Sequence, residues 1–212
     1  MIRHTLLLAS LALPLSANPT TITCGNLVYG KNQTSVCFAN TFLSDAARET
    51  GLDIDPEFDR IKLASEEVFR TPLCIFTGEG TFQLNEAERA NLKRYVMNGG
   101  FIIVSPGCSD QKWNAAFKRE LAAIFPAHPL EPIEMDHELF SMVHTITHLD
   151  AGSRVGHIKL HGVHVNGRLA ILYSPEGLNN AGNAKGCCCC GGNELRNSRE
   201  INVNALVYAL VY

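Results

Sequence analysis

Short apolar runs bounded by glycine alternate with stretches whose apolar residues recur at helical spacing from residue 22 onward. Residues 22–29 (ITCGNLVY) predict a first strand. Residues 73–77 (LCIFT), ending on Gly78-Glu79-Gly80, and 101–105 (FIIVS) are continuously apolar, the mark of strands buried on both faces. Residues 38–50 predict a helix closed by Gly51. Asn85, with Glu86 and Glu88 in the following turn, predicts a helix start, and Leu92, Tyr95 and Val96 supply its stripe before Gly99-Gly100 close it. Trp113, Ala116, Phe117, Leu121, Ile124 and Phe125 form the clearest amphipathic helix, stopped by Pro126. Residues 53–59 read as an acidic, Pro-containing turn, 61–64 as a short second strand and 65–69 as a helical piece. Residues 129–153 read as irregular, with Asp136 to Phe140 a structural turn. Residues 163–165 and 168–173, joined by Asn166-Gly167, read as a hairpin. Residues 174–199 form a Gly-, Asn- and Cys-rich connection, and 201–212 a final buried helix.

Strand and helix in alternation predict an α/β fold with a parallel sheet covered on both faces. Open sheets of this kind take ligands beyond the carboxyl ends of their strands. That rule sends Cys37, Gly78-Glu79-Gly80, Pro106 to Asp110, and Cys187 to Cys190 to one rim.

The N-terminus changes the compartment. Residues 1–17 (MIRHTLLLASLALPLSA) carry a positive start at Arg3, an apolar run of about ten residues and a small-residue end, the pattern of a cleaved signal peptide. A bilayer span needs roughly 20 apolar residues. The expected mature protein is one α/β domain, residues 18–212, periplasmic or extracellular, with no integral membrane segment. The chain of 212 residues is 46% hydrophobic, which suits a globular core, and its net charge of −3 supplies no basic field for a nucleic-acid backbone. No phosphate-cradling GxxxxGK[ST] loop occurs.

GNLVYG with TSVCFAN, TFLSDAARET, FTGEG, RYVMNGGFIIVSPGC, RLAILYSPEGLN and KGCCCCGGNE together resemble the uncharacterised family called domain of unknown function 4159, from Gly25 to Tyr212. The resemblance implies a flavodoxin-like, class I glutamine amidotransferase-like three-layer sandwich with a mostly parallel sheet. It also implies export and a cell-envelope protein as partner, because members occur in exported or membrane-linked bacterial proteins. It implies no established activity. Amidotransferases place their nucleophile in a Gly-x-Cys-x-Gly elbow after a strand. Here that position reads Pro106-Gly107-Cys108-Ser109-Asp110, with Cys108 displaced and Asp110 in place of the second Gly. Their later His-x-Glu pair is absent after Tyr173, where Ser174-Pro175-Glu176 stands.

Eight cysteines are the unusual count, four of them consecutive. Neighbouring Cβ vectors diverge, so Cys187, Cys188, Cys189 and Cys190 do not all converge readily on one ion. Cys187 and Cys190 have C-x-x-C spacing, and with Cys108 they make a candidate soft-metal site for zinc or copper. The competing reading is a staple, with disulfides to Cys37, Cys108 or within the run. Cys74 reads as a buried hydrophobe. His144 and His148 are spaced to share a helical face, and His157 and His161 a strand face.

The leading functional expectation is a binding module whose Cys-rich rim holds a soft metal or a small ligand. The alternatives are a Cys-dependent hydrolase with Cys108 as nucleophile and Glu79 or a rim His as its base, or a non-catalytic cell-envelope interaction protein.

Overall fold

The continuously apolar runs become the centre of a sheet. A computed structural model describes residues 21–31, 34–35, 37–150, 158–179 and 195–212. The expected signal peptide, His157 and the run Cys187 to Cys190 lie outside these residues. The strands are β1 (Ile22–Val28), β2 (Ile54–Lys62), β3 (Leu73–Gly78), β4 (Phe101–Pro106), β5 (Glu131–Pro132), β6 (His161–Val165) and β7 (Arg168–Tyr173). The helices are α1 (Thr41–Thr50), α2 (Glu86–Met97), α3 (Gln111–Ile124) and α4 (Ser198–Val211), with short 3-10 turns at Glu66–Arg70 and Glu138–Ser141.

The seven strands form one sheet in the order β2-β1-β3-β4-β7-β6-β5. The first five in that order pair parallel, and β6 and β5 extend the sheet antiparallel. Every residue of β3 and β4 is buried, which is why their sequences show no alternation. One apolar cluster joins residues of α2 and α3 to one face of the sheet, and a second joins α1 and α4 to the other. Among the described residues no helix is long and apolar enough to cross a membrane.

Residues 54–62 are one long strand, where sequence predicted a turn and a strand of four residues. The strand lies on the sheet edge and buries only Ile54 and Ile61, so it carries no apolar alternation. An edge also tolerates Pro56, and the charged residues there guard against unwanted pairing. His144 and His148 do not share a helix, because residues 142–150 are irregular. Asn204 of α4 organises that stretch. Its Oδ1 accepts from the backbone of Val143 and His144, and its Nδ2 donates to the His144 carbonyl. The hairpin forms as expected, with Asn166 and Gly167 at φ 53 and 79 as its twist demands.

One contact sets the spacing between the carboxyl ends of β1 and β3 and the start of α3. Tyr29 Oη accepts the Trp113 Nε1 hydrogen at 2.6 Å and donates to the Thr77 carbonyl at 3.0 Å. Both rings are buried. Gly78 is required beside them, because a Cβ there would stand 2.7 Å from Trp113 Nε1 and overlap Tyr29 Oη. Burial pushes the Tyr29 phenol well above its usual value, so it remains a protonated donor.

Tyr29→Phe leaves a buried indole N–H without its acceptor, and urea denaturation is expected to show a loss of about 1–3 kcal/mol. Gly78→Ala is expected to cost at least as much through overpacking. A Tyr29→Phe variant within about 0.5 kcal/mol of wild type would mean that water replaces the contact.

Candidate functional site

The rim is built at the carboxyl ends of β1, β3, β4 and β7. Register pairs Gly78 with Pro106, so Glu79 and Gly107 emerge side by side. Gly107 has no Cβ, and one would stand 2.7 Å from Glu79 Cγ, so the glycine lets the Glu79 side chain lie across the next strand's end. Glu79 Oε1 thereby comes within 3.9 Å of Cys108 Sγ. The structure does bring together the two residues expected to form a nucleophile and base.

Cys108 and Ser109 both adopt left-handed backbone conformations, at φ 51 and 50. Two successive non-glycine residues there are strained, by about 1–2 kcal/mol each. The turn is made without the second glycine of an amidotransferase elbow; Asp110 itself has an ordinary φ of −62. Several contacts hold the strain in place. Ser109 Oγ donates to the Glu176 carbonyl at 2.5 Å, and Gln111 Nε2 donates to the Ser109 carbonyl. Asn179 lies across the end of β4, its Oδ1 accepting from Ser105 Oγ at 2.6 Å and its Nδ2 donating to the Pro106 carbonyl.

Asp110 is the hub of this turn. Its Oδ1 accepts from the Lys112 and Trp113 backbone at 2.8 Å each, capping α3, and its Oδ2 accepts from Gly80 at 3.1 Å. Partial burial by itself would raise the Asp110 carboxyl. The N–H groups of Trp113, Gly80 and Lys112, with the Lys112 charge, outweigh it and hold the group below the usual carboxylate range.

The cysteines divide into two kinds. Cys37 and Cys108 are both disulfide-bonded. Cys24 and Cys74 are free and fully buried in the sheet. Burial pushes the Cys24 thiol up to about 12, and burial also raises Cys74 despite its contact with Thr71. Both are inert packing groups. A sulfur in a disulfide offers no thiolate, so the nucleophile and metal-ligand roles expected of Cys108 apply only to a reduced form. Among the described residues no three His, Cys, Asp or Glu side chains are grouped as a metal site needs. Cys187, Cys188, Cys189 and Cys190 fall outside that search.

Next to Glu79 lies a crevice that residue patterns did not reveal. It measures about 570 Å³ and is lined by Gly30, Lys31, the loop from Thr81 to Asn85, and Arg119. It opens between the ends of β1 and β3, whose following helices α1 and α2 pack on opposite faces of the sheet. Glu88 ties two of its lining residues, Gly30 and Asn85, together. One carboxylate oxygen completes the α2 capping box with Asn85, and the other accepts from Gly30 N at 2.7 Å. Arg119 reaches over from α3 and donates to the Phe82 carbonyl at 2.7 Å. Lys31 and Arg119 are the charged residues of the lining. The strand-end rule points to Gly30-Lys31 as it does to Gly78-Glu79, but Arg119 carries no local signal, since the fold alone brings it there.

The sequence pattern of the family described as Domain of unknown function (DUF4159) matches residues 26–210, and the chain belongs to that family. No curated protein matches it. Among solved structures it is similar to a protein described as thua-like from Bacteroides uniformis ATCC 8492, at 12% identity and a TM-score of 0.45, over 93% of this chain and 95% of that one.

Asp110→Ala is expected to lower stability at pH 7 by about 1 kcal/mol through loss of the cap. The carboxylate's contribution is complete above its unfolded value near pH 4 and disappears as pH falls through the lower folded value. The gap between wild type and Asp110→Ala in denaturant titrations is therefore expected to close below about pH 4. A gap unchanged down to about pH 2 would remove the carboxylate from the account.

Proposed function

We propose that this family member is an exported binding module that takes a small anionic ligand in the crevice between the ends of β1 and β3. The observation that carries the reading is position. Counted alone, the parallel strands run in the order 2-1-3-4-5, and the crevice sits where adjacent connections leave for opposite faces, the point at which open α/β sheets take ligands. The same order supports assignment to the flavodoxin-like, class I glutamine amidotransferase-like sandwiches. Lys31 and Arg119 give the ligand its sign, and a guanidinium suits a carboxylate or phosphate ester. Export is supported by the leader pattern of residues 1–17 and by the disulfides at Cys37 and Cys108, which persist outside reducing compartments. These disulfides favour a stapled rim over a thiolate-metal centre holding zinc or copper. A cell-envelope protein is the partner class that fits an exported module of this family.

The test is isothermal titration of the mature protein with small carboxylates, phosphate monoesters, neutral sugars and zinc or cuprous ions. The anions are expected to bind, and Lys31→Met with Arg119→Gln to weaken them at least about tenfold, or 1.4 kcal/mol. Anion binding untouched by those substitutions would remove the crevice. One tightly held zinc or copper per chain, without anion binding, would return the site to Cys187 and Cys190. A fast-reacting thiol at Cys108 would favour the hydrolase, for which Glu79 at 3.9 Å is already in place.

A further inference from the structure

A second cavity, on the β6 side of α3, has no part in the crevice. It measures about 580 Å³, inside the range of roughly 300–1,000 Å³ typical of small-molecule sites. Leu121 and Phe125 are buried walls, Leu130 is half-buried beside them, and Ala122 stands exposed at the mouth. Its polar lining side chains are Lys118, His128 and His161, and no carboxylate is among the lining residues.

The charge state of this lining follows from its contacts. His128 Nδ1 lies 2.9 Å from the His164 carbonyl. A carbonyl only accepts, so Nδ1 holds the proton and the ring is fixed. His161 is kept uncharged at neutral pH by burial and by the Lys118 and Lys159 charges, against the opposing pull of Glu176. Lys118 makes no ion pair with the described residues and sits with Nζ 5.8 Å from the Tyr173 ring centroid, the outer limit of a cation–π contact. The cavity therefore presents the Lys118 ammonium beside an apolar wall, flanked by the His128 ring held at the His164 carbonyl and by an uncharged His161.

We propose that this cavity binds a small monocarboxylate with a compact apolar body. Lys118 pairs with the carboxylate, Leu121, Phe125 and Leu130 cover the body, and the imidazoles border the polar end. Charge complementarity selects the occupant. No second Lys or Arg lines the cavity for a dianion, and a neutral apolar molecule would leave the ammonium unused.

The test uses the mature protein and 3-phenylpropanoate, with 3-phenylpropanol and 3-phenylpropylammonium as its neutral and cationic counterparts. Binding is read by the imidazole NMR signals of His128 and His161, and by calorimetry in a Lys31→Met, Arg119→Gln background that removes the crevice's cations. The carboxylate is expected to bind and shift both signals, the alcohol to bind at least tenfold more weakly, and the ammonium not to bind. Lys118→Met, which keeps the apolar stem, is expected to reduce the carboxylate to the level of the alcohol. Ala122→Trp is expected to block entry, and Lys118→Met decides alone if circular dichroism shows Ala122→Trp misfolded. Restoring Lys31 and Arg119 is expected to leave the His128 and His161 shifts as they are, which separates this site from the crevice. Equal binding of carboxylate and alcohol, carboxylate affinity unchanged by Lys118→Met, or no binding of 3-phenylpropanoate would each overturn the proposal.

Discussion

The hydrogen bond between Trp113 Nε1 and Tyr29 Oη, made against the bare backbone of Gly78, is the constraint on which the rim depends. It joins the first helix residues after β4 to the ends of β1 and β3. With that distance fixed, Asp110 can cap α3 and accept from Gly80 at once, so the β3 and β4 loops form one unit. Glu79 is then held over Gly107 and beside Cys108. The strained pair Cys108-Ser109 sits within this frame, and the Ser109 bond to Glu176 extends it to the end of β7. Positions at the carboxyl ends of the inner strands, each weakly determined alone, are tied together because the Asp110 carboxylate and the Tyr29 phenol each satisfy more than one partner. A polar network of this kind is specific when fully satisfied.

The cysteines do two different physical jobs. Cys24 and Cys74 fill the sheet interior as small hydrophobes, and burial makes their thiols harder to ionise. Cys37 and Cys108 are spent in disulfides, one in the β1–α1 connection and the other on the strained turn after β4. Cross-links there add a covalent restraint to both loops. The rim thus owes its shape to covalent and polar restraints, and the molecule beneath it to apolar packing.

How far this was legible in the sequence depended on how local each signal is. Helix α3 and the hairpin were readable because a repeated apolar stripe and an Asn-Gly turn are complete within a few residues. Strands β3 and β4 were readable from unbroken apolar runs. The pairing of Glu79 with Cys108 followed from the strand-end rule, since both lie just past the ends of adjacent strands. Strand β2 was missed because an edge strand with two buried positions has no pattern to read. The stretch around His144 is irregular as expected, so the spacing of His144 and His148 had no helix to act on; its order comes from Asn204, far along the chain. Asp110 looked like a missing glycine, although an Asp directly before an amphipathic helix is also a cap signal. Lys31 and Arg119 meet only through the fold.

The function proposed above requires the rim to be a stapled binding surface and not a thiolate centre. Peptide mass mapping of the mature protein, alkylated without prior reduction, tests it most directly. Cys37 and Cys108 are expected only in cystine-linked peptides, and Cys24 and Cys74 as thiols that alkylate after unfolding. Recovery of Cys108 as an alkylated thiol from the folded protein would contradict it and make the Cys108–Glu79 pair a reactive site.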